Sequence, residues 1–168
     1  MAIESITKHG VLIADPSAHM ASLIAVMLRS IGRRDIREAY DAGRAMSELK
    51  RRVFDVIVID DALDGMDGVA FTRQLRAATD CQNRFIPVIM MSAAPDAKRI
   101  ADARDAGVTE FLRKPFAAIH LQSRLTTIEA NPRGFIEARE YVGPDRRRKT
   151  VDVGDKERRE GVKDIKAG

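Results

Sequence analysis

The sequence predicts an α/β fold in which a five-stranded, doubly wound parallel sheet carries helices on both faces. Three observations predict it. Short apolar runs recur along the chain: Val11-Leu12-Ile13-Ala14, Val56-Ile57-Val58-Ile59, Val88-Ile89-Met90-Met91 and Phe111-Leu112. Runs of this kind bounded by polar residues read as buried parallel strands. Amphipathic stretches with helical spacing lie between them. Each run also leads to a chemically distinctive residue, Asp15, Asp60, Ser92 and, past Arg113, Lys114. In an open sheet of this class the crevice beyond the carboxyl ends of the strands collects ligands and chemistry, so these four side chains are expected to converge.

The elements come in order along the chain. After the first strand, Met20, Leu23, Ile24, Met27, Leu28 and Ile31 form a helical stripe between Ala18 and Ile31, and Gly32 ends that helix. The polar segment Asp35-Ile36-Arg37-Glu38-Ala39 is a strand candidate for the sheet edge. Asp41 is a suitable N-cap for a helix to about Arg52. The Val56–Ile59 strand leads through Asp64-Gly65-Met66 to a helix from about Gly68 to Ala78. After the Pro87–Met91 strand, Asp96 caps a helix ending near Gly107. The last strand runs into Lys114-Pro115, then a helix from Ala117 to about Glu129 that Asn131-Pro132 closes.

The 168 residues suffice for one well-buried domain and an appendage. No apolar run approaches a membrane span, and the first residues lack the basic and apolar regions of a secretory signal. The single cysteine, Cys81, excludes an intramolecular disulfide and fits a reducing cytoplasm, and it reads as an incidental loop residue. Charge is uneven. Residues 131–168 hold eleven Lys/Arg and eight Asp/Glu, whereas the first 130 hold eighteen and seventeen. The body is nearly neutral and the extension is basic. Few large apolar residues occur past Asn131, so residues 131–168 are expected to be disordered unless liganded, beside a domain over residues 8–130.

Residues 8–130 resemble the bacterial receiver domains of two-component signalling, the CheY-like fold. The resemblance rests on Asp15, Asp60, Met66-Asp67-Gly68, Ser92-Ala93 and Lys114-Pro115-Phe116 in that order and spacing. It implies a flavodoxin-like strand order 2-1-3-4-5, with Asp60 as phosphoacceptor, Lys114 as its cationic partner and Ser92 as a hydrogen-bonding group for the phosphate. It also implies a Mg²⁺ ion at Asp15 and Asp60. Physical reasons support these roles: a nearby ammonium keeps a nucleophilic carboxylate ionised, and positioning with charge neutralisation supplies most of phosphoryl-transfer catalysis. Lys114-Pro115 is a candidate cis peptide.

The chain departs from the family at Pro16, where receivers usually carry a second acid. Proline offers neither carboxylate nor N–H, so Mg²⁺ affinity is expected to be weak. Asp61 is a poor substitute, because successive strand residues face opposite ways; Asp64 is a candidate to reach the cleft. The alternative is a retained charge cluster that turns over inefficiently. Phe111 occupies the position often held by tyrosine and offers no hydroxyl. His9, His19 and His120 fit no acid–base pattern, and Met20, Met27, Met46, Met90 and Met91 suit core packing.

The extension interleaves acids with arginines: Tyr141-Val142-Gly143-Pro144-Asp145-Arg146-Arg147-Arg148, then Asp155, Arg158 and Arg159. Arginine binds phosphate bidentately, pairs with the O6/N7 edge of guanine and stacks on base faces, while a carboxylate accepts from guanine N1–H and N2–H₂. This run resembles the arginine-rich extension of the Cle group of CheY-like proteins. That resemblance implies cyclic di-GMP as a ligand of these residues and the flagellar motor as a docking partner. The alternatives are nucleic acid or another acidic partner, and a passive basic tail. Nothing in the 168 residues resembles a DNA-binding or enzymatic output domain, so the expected output is a protein contact through the face at about residues 96–129, with the extension folding against that same face. The competing reading is a phosphorelay response regulator served by a histidine kinase or phosphotransfer protein. A hydrolase is not expected, because Ala62 stands where it would want a general acid.

Overall fold

A computed structural model describes residues 9–132, 134–138, 141–145 and 163–165. Five strands form one parallel sheet: β1 (Val11–Ala14), β2 (Ile36–Ala39), β3 (Val56–Asp60), β6 (Val88–Ser92) and β7 (Glu110–Arg113). Two very short strands, β4 (Ala62–Leu63) and β5 (Met66–Asp67), form a separate hairpin in the loop after β3. The sheet order is β2-β1-β3-β6-β7, the expected winding once that hairpin is counted. Helices α1 (Ala18–Ser30), α2 (Ala42–Arg51), α3 (Gly68–Ala77), α4 (Ala97–Ala106) and α5 (Ala118–Ala130) cover both faces. No helix among the described residues is long and apolar enough to cross a membrane.

Strand alternation divides the core into two layers. Leu12, Ala14, Ile57, Ile59, Val88 and Met90 pack with α2, α3 and α4, including Leu49, Phe71 and Leu75. Val11, Ile13, Val56, Val58, Ile89 and Met91 pack with α1 and α5, including Ile24, Leu28, Leu121 and Leu125. Burial on both faces explains why these strands read as continuous apolar runs. The helix starts obey their capping residues: Asp41, Asp67 and Asp96 each accept a hydrogen bond from the third helical backbone N–H. Helix α1 differs from its predicted stripe, because its buried face is Ala21, Ile24, Ala25 and Leu28 while Leu23 is 42% exposed. Small alanines let α1 approach the sheet closely and turn Leu23 outward.

Cys81 lies in the loop after α3 and is buried, with its thiol 3.4 Å from the Leu49 carbonyl. Beside it Asn83, fully buried, donates to the carbonyls of Leu49 and Arg52 and accepts from the Phe54 N–H at 2.8 Å. One amide thereby pins the loop after α3 to the turn between α2 and β3. The largest departure concerns the extension. Its first residues fold as β8 (Phe135–Ala138) and β9 (Tyr141–Pro144), an antiparallel hairpin, with β10 (Lys163–Ile165) paired to β8 on the other side. These strands stand where the sequence reading expected no regular structure without a ligand. Phe135 supplies a buried aromatic anchor that the low overall apolar content concealed.

The layer assignment has a direct test. Ile57→Ala should lower stability by about 2–5 kcal/mol through lost burial and a residual cavity. Leu23→Ala should stay within about 0.5 kcal/mol, as for surface positions. Urea unfolding of both variants checks the pair.

Candidate functional site

The carboxyl ends of β1, β3, β6 and β7 deliver Asp15, Asp60, Ser92 and Lys114 to one crevice, as the spacing predicts. Asp15 and Ser92 are 1% exposed and Asp60 is 7% exposed. The Lys114 ammonium is shared: it bonds Asp60 Oδ2 and lies 3.2 Å from Asp15 Oδ2. The other oxygen of each carboxylate takes a backbone N–H. Asp15 Oδ1 accepts from Ser17 and Asp60 Oδ1 accepts from Ala62, both at 2.8 Å. Each acid therefore has one oxygen on the main chain and one on the lysine. Burial alone would lower the Lys114 pKa, but the hydrogen bond and charge of Asp60, together with those of Asp15, outweigh it and hold the ammonium above its ordinary value.

The neighbouring loops fix these groups. Lys114 N–H donates to the Ser92 carbonyl at 2.8 Å, and the Lys114-Pro115 peptide is cis. The buried Ser92 hydroxyl accepts from Ala94 N–H at 3.3 Å. Gly68 is required where it stands: a Cβ there would lie 2.6 Å from the Asp60 carbonyl oxygen. This close approach gives the Met66-Asp67-Gly68 run its physical meaning.

The remaining candidates separate. Asp61, the first residue after β3, turns away toward Arg99, 3.5 Å from its Nε. Asp64 does not extend the acidic cluster. It is exposed, and its backbone bridges to Asp41 while its carbonyl accepts from Ala42 N–H, so the loop is drawn toward α2. Among the described residues no group of three His, Cys, Asp or Glu side chains gathers into a metal cluster. Asp15 and Asp60 would hold Mg²⁺ with two carboxylates, which matches the usual protein contribution to such a site, and Pro16 leaves it one acid short of the family pattern. His120 Nδ1 accepts from Ala117 N–H and caps α5.

Of the extension candidates, Tyr141 and Asp145 belong to the hairpin: the Tyr141 hydroxyl donates to the Pro144 carbonyl and Asp145 N–H donates to the Gly134 carbonyl. Arg146, Arg147, Arg148, Asp155, Arg158 and Arg159 lie outside the described residues. The hairpin also stands elsewhere than expected, against α3 and the end of α4 near Gly107 rather than along the α4–β7–α5 face. Two arginines were missed by sequence reasoning. Arg99 donates to the Asp61 carbonyl at 2.8 Å and lies 3.8 Å from Asp67 Oδ2, spanning the crevice mouth. Arg76 is 1% exposed, and burial pushes its guanidinium down to about 9, so it remains a cation at neutral pH. Nothing in one sequence marks a helical arginine as buried, since its partners are carbonyls distant in the chain.

An acid–lysine centre at the carboxyl edge of a five-stranded doubly wound sheet defines a class of phosphorylation-operated signalling modules. Residues 11–126 match the response regulator receiver domain family, and the chain belongs to it. It is 33% identical over 118 residues to the chemotaxis protein CheY-3 of Vibrio cholerae, covering 70% of this chain and 89% of that one. It is equally 33% identical over 118 residues to the chemotaxis protein CheY of Pseudomonas aeruginosa, covering 70% and 94%. Among solved structures it resembles the receiver domain of a Pseudomonas aeruginosa sensor histidine kinase with a magnesium ion coordinated in its active-site cleft. That likeness has TM-score 0.65 and 28% identity, and covers 73% of this chain and 98% of that one.

Removing the shared cation should expose the repulsion it masks. Lys114→Met should lower stability by about 2–3 kcal/mol, below the full cost for a dry ion pair because the crevice is open to water. Adding Asp15→Asn should recover part of that loss. Chemical denaturation of the single and double variants measures it.

Proposed function

We propose that this chain is a signalling adaptor in which Asp60 is the phosphoacceptor. The observation that supports this reading is the Asp60 carboxylate itself, half satisfied by Ala62 N–H and half by a lysine shared with Asp15. An oxygen of Asp60 attacks phosphorus, the new O–P bond forms an acyl phosphate, and the bond to the donor breaks with its electron pair leaving on the donor. Lys114 neutralises charge on the arriving group, and the Ser92 hydroxyl donates to a phosphoryl oxygen. Mg²⁺ held by Asp15 and Asp60 would supply further charge neutralisation. Donors of suitable chemistry are a phosphohistidine on a kinase or on a phosphotransfer protein.

Incubation with a small phosphodonor should add one phosphate by intact mass, slowly and only at high Mg²⁺, and Asp60→Asn should abolish it. Pro16→Asp should tighten Mg²⁺ binding by about tenfold, the gain of roughly one charge-assisted ligand. Rapid, complete labelling at low Mg²⁺ would contradict the impairment, and labelling of Asp60→Asn would contradict the assignment.

The second half of the proposal concerns the extension. Its arginines at 146–148, 158 and 159, with Tyr141, Asp145 and Asp155, bind cyclic di-GMP, and the liganded protein docks through residues 96–129 on a partner such as the flagellar motor switch. Support lies in the interleaving of guanidinium and carboxylate groups, which suits a ligand carrying guanines and phosphates together. Calorimetry should show heat with cyclic di-GMP and none with GTP or duplex DNA. Arg147→Lys should weaken binding although charge is retained. Equal binding to the duplex, with steep salt dependence, would favour the alternative of a phosphorelay regulator with a tail for acidic partners.

A further inference from the structure

Helix α4 is held by an arginine at each end. At its first turn, Arg99 bonds the Asp61 carbonyl and lies within 3.5 Å of the Asp61 carboxylate, on the loop directly after Asp60. At its other end stands Gly107, with a left-handed φ of 100°. Its carbonyl accepts from Arg76 Nε at 3.2 Å and from Arg76 Nη2 at 2.9 Å. The third bond of that buried guanidinium goes to the Arg84 carbonyl, and its face lies over the Phe135 ring at 4.8 Å. A cation so deeply buried is costly unless its donors are occupied, and here two carbonyls and a ring face occupy it.

The hairpin completes this arrangement. Phe135 meets Phe85 at 5.3 Å between centroids, and Glu137 pairs with Arg84 at 3.0 Å. Gly143 lies directly on Gly107: a Cβ at Gly143 would fall 2.7 Å from Gly107 Cα, and a Cβ at Gly107 would fall 2.7 Å from the Val142 carbonyl oxygen. The contact is thus backbone against backbone at the point where α4 turns into β7. No bulk is available there without separating the two.

We propose that the β8–β9 hairpin is a second input to helix α4: docked through Phe135, Arg76, Gly107 and Gly143, it sets the position of the helix whose other end Arg99 fastens to the phosphoacceptor loop. The two-state element is the docked or released hairpin, and coupling is reciprocal, so a change at Asp60 alters hairpin docking as well. The docking does not depend on what the extension binds. Only the reciprocal half rests on Asp60 as phosphoacceptor.

Hydrogen exchange on the full chain tests it. In the unmodified protein the ladder amides of β8 and β9 and the last turn of α4 should be protected. Gly143→Val should force the backbones apart, and Phe135→Ala should remove the anchor without adding bulk. In each variant hairpin exchange should accelerate about tenfold or more, and exchange at residues 103–109 should accelerate with it, while β1 and β3 stay protected. Treatment with acetyl phosphate should change hairpin exchange in the unmodified chain and leave it unchanged in Asp60→Asn. An unprotected hairpin in the unmodified protein, or a released hairpin with unaltered α4 exchange, overturns the proposal. Absence of labelling at Asp60 would instead overturn the phosphoacceptor reading, and the two hairpin variants would still decide the coupling.

Discussion

One ammonium holds the functional end of this molecule together. Lys114 lies between carboxylates delivered by two different strands, and neither could be buried so fully without it. The requirement reaches back into the fold. Asp15 and Asp60 sit in register only because β1 and β3 are adjacent and parallel, and Lys114 reaches them because its backbone is fixed to Ser92 at the end of β6. The apolar runs that build the sheet and the polar residues that end them are therefore one design. The sheet supplies rigid placement, and the ion cluster fixes which strand ends must meet.

The opposite end of the sheet is organised on different physics. There the buried cation is Arg76, answered by carbonyls and an aromatic face instead of acids. A planar guanidinium suits this setting because its donors point in fixed directions and its face tolerates a ring. Part of the enclosure comes from beyond residue 130, through Phe135 and Gly143. The receiver body supplies the carbonyls for Arg76 and the start of the extension supplies the ring that covers it. The chain reaches Asp145 at a fixed point under α3 and α4, not at the end of α5.

Much of this was legible in the residues. The four strands with apolar runs, the edge strand, all five helices and the convergence of Asp15, Asp60, Ser92 and Lys114 are readable from periodicity, caps and strand ends, which are local signals. The failures are non-local. Leu23 obeys helical spacing but yields its place to alanines because the sheet sits too close. Asp64 is an acid in the right loop, yet a backbone bridge to Asp41 draws that loop aside. The hairpin escaped notice because composition averages over residues, whereas one buried Phe135 and one glycine-to-glycine contact suffice to dock it.

Pro16 changes the charge balance of the crevice in a way the whole arrangement reflects. With a second acid after β1, three carboxylates would face one lysine, and a divalent ion would be needed to offset the excess. Here two carboxylates face one lysine, and each keeps a backbone donor as well. The resting site is closer to neutral without a divalent ion. On the proposed reading, a phosphoryl group on Asp60 would add negative charge to a site with one cation already divided between two acids. The proposed hairpin contact would give such a site a second route to helix α4. The Gly107–Gly143 contact sits where such a route would enter, at the end of α4 remote from Asp60 and shortly before the arginine-rich run in the sequence.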